Sequence, residues 1–141
     1  MRYFLDTNIV IDFLSDRKPF SVVSAQIFEL GYKKKVELLI SAVSYNNIYY
    51  ILRQNLSHRE TLKLLNEITD VVSIADVTSS VIHKALKSEF KDFEDAIQYY
   101  SALSQIDIDA IVTRNGKDFK KVSIPILTPE EALSAIVSAS R

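Results

Sequence analysis

MRYFLDTNIVIDFL, residues 1–14, sets the apolar Tyr3, Phe4 and Leu5 directly before an acid, Asp6, and starts a helical pattern right after it. RYFLD (2–6) reads as a strand: it is apolar without alternation, as in strands covered on both faces. TNIVIDFLS (7–15) reads as a short helix. The same handover recurs along the chain. PFSVVSAQIFELGYKKK (19–35) is predicted helical, with Pro19 suited to a first helical position. VELLI (36–40) is the next strand, followed by helices over about 41–56 and over HRETLKLLNEIT (58–69). VVSIA (71–75) is a strand, TSSVIHKALKS (78–88) a helix, and DFEDAIQYYSALSQI (92–106) the best-patterned helix. AIVT (110–113) and IPIL (124–127) are the last strands. TPEE (128–131) opens the final helix as a capping box, with Thr128 at the cap, Pro129 next and Glu131 reaching back. Strands alternating with helices predict an α/β fold with a parallel sheet, whose ligands bind beyond the carboxyl ends of the strands near the topological switch point.

The bulk numbers agree with a single domain over residues 1–141. The 141 residues are 48% hydrophobic and 25% charged, and Gly 2 and Pro 3 leave little room for linkers. Cysteine is absent, which excludes disulfides, thiolate nucleophiles and thiolate metal sites. A formal net charge of −1 argues against a wholly basic surface, leaving local clusters at Lys33, Lys34 and Lys35 and at Arg114, Lys117, Lys120 and Lys121. No apolar run approaches the roughly 20 residues of a membrane span, and the N-terminus enters a strand at once, so a cytoplasmic protein is expected.

The acids carry the chemistry. Asp6 ends a strand and stands where it could cap the next helix, but Thr7 and Asn8 could cap it equally well. At about 100° per residue, Asp95 shares the apolar face of its helix with Asp92, Ala96, Tyr99, Ala102, Leu103 and Ile106, while Glu94 points nearly the opposite way. A carboxylate on a buried face is costly unless protonated, paired or metal-bound. Asp92, one turn earlier, adds like charge unless it serves as the cap. VTRNGKDF (112–119) places Asn115 and Asp118 in a loop after a core strand. Hard oxygen ligands without cysteine suit Mg²⁺ or Mn²⁺. His58 and His83 lie on amphipathic helices away from these strand ends and read as ordinary surface residues. In SYNNIYYIL (44–52), Asn47 lies about 40° from Ile51 at the edge of the apolar arc, and Asn46 falls on the polar side.

Four phrases in this order, LDTNIVID (5–12), SAVSYNNIYYIL (41–52), DFEDAIQYYSAL (92–103) and VTRNGKDFKK (112–121), with IPILTPEE (124–131) closing the domain, resemble the PIN domain nucleases, and most closely the bacterial branch near the VapC-type toxins. The resemblance runs over nearly the whole chain. It implies a three-layer α/β/α sandwich with a central parallel sheet, and hydrolysis of single-stranded RNA with one or two Mg²⁺ or Mn²⁺ ions. By motif, Asp6, Asp95 and Asp118 match the family's metal-binding acids, and Thr7, Asn8, Thr113 and Asn115 its supporting polar positions, with Asp92 beside them. Arg114, Lys117 and Lys120 are the expected RNA contacts, and Tyr45, Tyr49, Tyr50, Tyr99 and Tyr100 candidates for base stacking or core packing. A homodimer and an antitoxin protein are the partners implied, with Phe13, Phe20 and Phe28 serving either those contacts or the core. The departure is at Asn47, where the pattern has Glu: an amide coordinates or positions water but adds no negative charge, which bears on metal number, affinity and rate. The alternative is a catalytically weakened domain that binds RNA or protein. A phospho-acceptor receiver, with Asp6, Asp76 and Thr113, lacks the second acid and the terminal Lys. A haloacid-dehalogenase-like phosphatase would need an acid at Asn8.

Overall fold

The five apolar runs form one parallel sheet, seen in a computed structural model that describes residues 1–120 and 122–140; Lys121 of the basic cluster lies outside the described residues. The strands are β1 (Arg2–Leu5), β2 (Glu37–Ser41), β3 (Val72–Ala75), β4 (Ala110–Val112) and β5 (Ile126–Leu127), in the order β3-β2-β1-β4-β5. The helices are α1 (Thr7–Leu14), α2 (Ser21–Tyr32), α3 (Ala42–Leu52), α4 (His58–Thr69), α5 (Ser79–Leu86), α6 (Phe93–Leu103) and α7 (Pro129–Ala139), with a 3₁₀ turn at Gly116–Asp118. Central β1 pairs with β2 on one side and β4 on the other, so Phe4 lies between Leu39 and Ile111. The chain order reverses between β1 and β4, which makes their carboxyl ends the switch point.

Alternation along the strands builds the three layers. Tyr3, Leu5, Leu38, Ile40, Ala110 and Val112 turn to one face, where α1, α2, α3, α4 and α7 cover them with Ile9, Ile27, Ile48, Leu65 and Ile136 among others. Phe4, Leu39 and Ile111 turn to the other face and meet Tyr99 and Ala102 of α6. Val81 and Ala85 of α5 then pack against Ala96 and Ile97 of α6. Each fully buried large side chain contributes roughly 1.5–3 kcal/mol. In α2 a close approach decides the residue: a Cβ at Gly31 would stand 2.6 Å from Leu38 Cδ1.

Three helices end differently from the sequence expectation, the first being α3, which stops at Leu52 rather than near Leu56. Helix α2 begins at Ser21, not at Pro19, and ends before the lysine run, where Lys34 turns left-handed with φ 59°. Helix α6 stops at Leu103 with Ser104 as its C-cap, so Ile106 leaves the helical face and is 77% exposed. The capping box of α7 forms as read, Thr128 accepting from Glu131 N and Glu131 accepting from Thr128 N.

One buried ion pair fixes the loop after β4. Asp12 of α1 has no solvent exposure and receives Arg114 through Nε (2.6 Å) and Nη2 (3.1 Å). The guanidinium also lies 3.9 Å from the centroid of the Phe20 ring, and Arg17 approaches Asp12 at 4.0 Å. Arg114, expected to contact RNA, is instead committed to α1: its fork matches a carboxylate that has no water around it. Removing one partner of a buried pair strands the other charge. Arg114→Ala is therefore expected to lower unfolding free energy by roughly 3 kcal/mol in urea titrations. Arg17→Ala, at the exposed rim, is expected to change it by less than about 1 kcal/mol.

Candidate active site

Asp6 is the residue after β1 and the N-cap of α1, yet its side chain makes no capping bond and is 5% exposed. Its carboxylate turns to the neighbouring strand end, where Thr113 Oγ1 donates to Oδ2 at 2.6 Å. The same hydroxyl oxygen accepts the Asn115 N–H at 3.0 Å, so both of its roles are filled. Burial pushes the Asp6 carboxyl above its ordinary range, while Thr113, Gln98 and the nearby amides of Thr7 and Asn8 pull it back. Asn8 leaves a buried Oδ1 without a hydrogen-bond partner.

Helix α6 brings the other acids to this crevice. Asp92 is its N-cap and accepts from Asp95 N at 3.0 Å, so it is the cap. It is also a like charge: Asp95 is pushed up to about 7, first by burial and then by Asp6, Asp92, Asp118 and Glu94. Asp118, in the 3₁₀ turn, is exposed and joins Asp92 and Asp95 on the border of one cleft.

Glu94 corrects the sequence reading. It does not point to water; it is half-buried, and the Asn47 amide Nδ2 donates to its Oε2. Gln98 Nε2 donates to its Oε1 at 3.3 Å, and Gln98 Oε1 accepts the Thr7 N–H at 3.1 Å. Thr7 Oγ1 in turn bonds Ser44 Oγ at 2.7 Å. Burial raises the Glu94 carboxyl, the Thr7 hydroxyl opposes this, and Asp6 and Asp92 add to it. The wheel misplaces Glu94 because the first turns of α6 meet the start of α1 and Asn47 of α3 at the sheet edge, contacts that the periodicity of α6 alone does not encode. Gln98, one turn past Glu94, is fully buried and needs a partner there, which the sequence alone does not disclose.

Asn47 does face the site, and Asn46 is exposed, as the sequence implied. Tyr45 and Tyr49 are tied elsewhere, to Thr69 and His58 at 2.8 Å each. Tyr99 is 7% exposed, with its hydroxyl on Ser123. Of the expected cations, Lys117 and Lys120 remain exposed beside Asp118.

Among the described residues no three His, Cys, Asp or Glu side chains close around a single ligand position. Yet Asp6, Asp92, Glu94, Asp95 and Asp118 crowd one another electrostatically, and none is ion-paired among the described residues. This donor set fits a hard divalent cation that keeps much of its water, held directly by one or two carboxylates, rather than a dehydrated cage.

The folded Asp95 binds its proton more tightly than an unfolded aspartate, so without metal the fold loses stability as pH rises from about 4 to about 7. Asp95→Asn is expected to remove that loss. In metal-free buffer at pH 7.5 it should raise the melting temperature by a few degrees, about 1 kcal/mol after discounting for solvent screening at a half-exposed site. At pH 4 the gain should vanish.

The family model described as PIN domain matches residues 2–117. Ribonuclease VapC1 of Aquifex aeolicus (strain VF5) is 26% identical over 135 residues, covering 92% of each chain. Among solved structures, VapBC2 from Rickettsia felis, bound to a DNA fragment from their promoter, superposes with a TM-score of 0.67 at 17% identity over 91% of this chain and 98% of that one. A toxin–antitoxin complex from Klebsiella pneumoniae gives a TM-score of 0.66 at 22% identity, covering 90% and 97%. With the match to the family model extending from β1 through the loop that carries Thr113, Asn115 and Lys117, the chain belongs to the PIN domain family.

Proposed function

We propose that this chain, acting as one domain over residues 1–141, is a metal-dependent endoribonuclease that cleaves single-stranded RNA and serves as the toxin of a toxin–antitoxin pair. The observation that carries this reading is the unneutralised acid cluster at the β1/β4 switch point, in a chain aligned over nearly its whole length with a VapC ribonuclease. Asp6 and Asp95 would hold Mg²⁺ or Mn²⁺, with Asp118 and Glu94 acting directly or through water. A bound divalent cation supplies Lewis acidity at the scissile phosphate and an acidified water. The chain's own residues do the rest. Thr113 and Asn115 fix Asp6, Asp92 fixes the start of α6, and Thr7 and Gln98 hold α6 against α1. Asn8, with its free buried carbonyl oxygen, backs the same corner. Lys117 and Lys120 meet backbone phosphates.

Asn47 is what favours the other reading, a weakened domain that only binds RNA or protein. Its hydrogen bond to Glu94 supports the active reading instead, since it sets a carboxylate of α6 beside the position where α3 carries an amide. The protein is expected to act in the cytoplasm, as a homodimer and with an antitoxin partner; no helix among the described residues is long and apolar enough to cross a membrane.

Purified protein should cleave single-stranded RNA with Mn²⁺ or Mg²⁺, and EDTA or Asp6→Asn should abolish cleavage. Activity that survives both would refute the metal mechanism. Glu94→Gln should lower the Mn²⁺-dependent rate roughly 10- to 100-fold, the range for residues that orient a metal site. An unchanged rate would leave Asn47 alone at that corner.

A further inference from the structure

The loop joining α5 to α6 (87–92) lays an aromatic ring beside the acids. Phe90 is half-buried, with its ring centroid 5.5 Å from Tyr99, 6.3 Å from Tyr100 and 6.1 Å from Phe119. Tyr99 and Phe119 are core residues, so Phe90 is braced from behind, while Tyr100 and the 43% exposed Leu103 continue its surface along α6. This surface lines an open cleft of about 800 Å³ whose border includes Asp95 and Asp118. The cleft's other border residues include four exposed lysines, Lys87 and Lys91 on the loop and Lys117 and Lys120 around the 3₁₀ turn. Among the described residues none of the four is ion-paired.

An aromatic ring in the floor of a cleft, with a second ring standing at 67° to it, asks for a planar apolar ligand that lies on one and meets the edge of the other. The border also carries Glu89, Asp92, Asp95 and Asp118; with a cation on the crevice acids, the four unpaired ammonium groups ask for negative charge. A small apolar molecule satisfies only the first, and a lone phosphate only the second. A nucleotide satisfies both, because each base has a π-face and each linkage a phosphate. We propose that the cleft is a stacking subsite for one unpaired nucleotide next to the bond being cut, its base on Phe90 with Tyr100 against its edge, and its flanking phosphates on Lys87 and Lys91 to one side and Lys117 and Lys120 to the other. This rests on the ribonuclease reading and deepens it. A base must leave its own stack to lie on a side chain, so the subsite selects single strands over duplex without reading sequence.

Binding of a labelled single-stranded RNA oligonucleotide tests this, measured with Mg²⁺ in an Asp6→Asn background that does not cleave. Phe90→Leu should weaken binding about fivefold or more, and Phe90→Tyr by less than about twofold. In a series of oligonucleotides each missing one base, a single position should exist at which Phe90→Leu no longer matters. The Lys87→Gln/Lys91→Gln double variant should flatten the dependence of log Kd on log salt by roughly one to one and a half units. Uniform weakening across the whole abasic series would mark a folding effect and overturn the subsite. So would parental binding by Phe90→Leu and the double lysine variant in a protein that does cleave RNA, which leaves the ribonuclease reading standing. Failure of the unmodified protein to bind or cleave RNA would overturn both.

Discussion

Asp6 loses nearly all contact with water at the end of the central strand, and a short hydroxyl bond from Thr113 leads the contacts that offset that loss. Holding a carboxylate there requires Thr113 at the end of β4, which requires β1 and β4 to pair in the observed register. From Asp6 a chain of polar contacts leads outward: Thr7 to Ser44 of α3, Thr7 to Gln98 of α6, Gln98 to Glu94, and Glu94 to Asn47. Each such bond is worth only about 1 kcal/mol net, but each buried group left unpaired costs about 1–3 kcal/mol. The network thus selects one arrangement of β1, β4, α1, α3 and α6 more than it stabilises the fold in bulk.

Two charge systems lie within a few residues of each other and are kept apart. Arg114 follows Thr113 directly, yet its guanidinium is drawn to the buried Asp12, further along α1. The acids at the crevice therefore keep their negative potential, and the nearby lysines stay at the rim. An arginine free to swing inward would neutralise Asp118 or Asp95 and remove the reason for a cation to bind. The buried pair contributes mechanically by anchoring the loop, and electrostatically by keeping one positive charge out of the way.

Much of this was legible in the sequence. All five strands lie where apolar runs meet turn or capping residues, and the corrections to helices concern their ends. Asp6, Asp95, Asn47 and Asp118 stand out as candidates because each breaks a local rule: an acid at a strand end, an acid on an apolar face, an amide at the margin of a stripe, an acid in a loop after a core strand. Glu94, Gln98 and Ser44 break no such rule. A glutamate on a helix reads as solvent-facing until the contacts at the start of α6 are known. The destination of Arg114 was hidden for a related reason: Asp12 and Arg114 are 102 residues apart and meet only when α1 lies against the β4 loop. Phe90 sits in an irregular segment that periodicity cannot orient.

The hydrogen bond between Asn47 and Glu94 joins a neutral side chain and an anionic one across two helices. An amide and a carboxyl are close to isosteric, and either can sit at either end of such a bond. The exchange Asn47→Asp with Glu94→Gln would keep the bond count, the packing and the total charge, moving one negative charge by the length of one contact. In that sense the corner behaves as a single charge with two addresses. A tally of acids along one motif misses such a charge when it has changed address, and the count must be taken over the volume of the crevice.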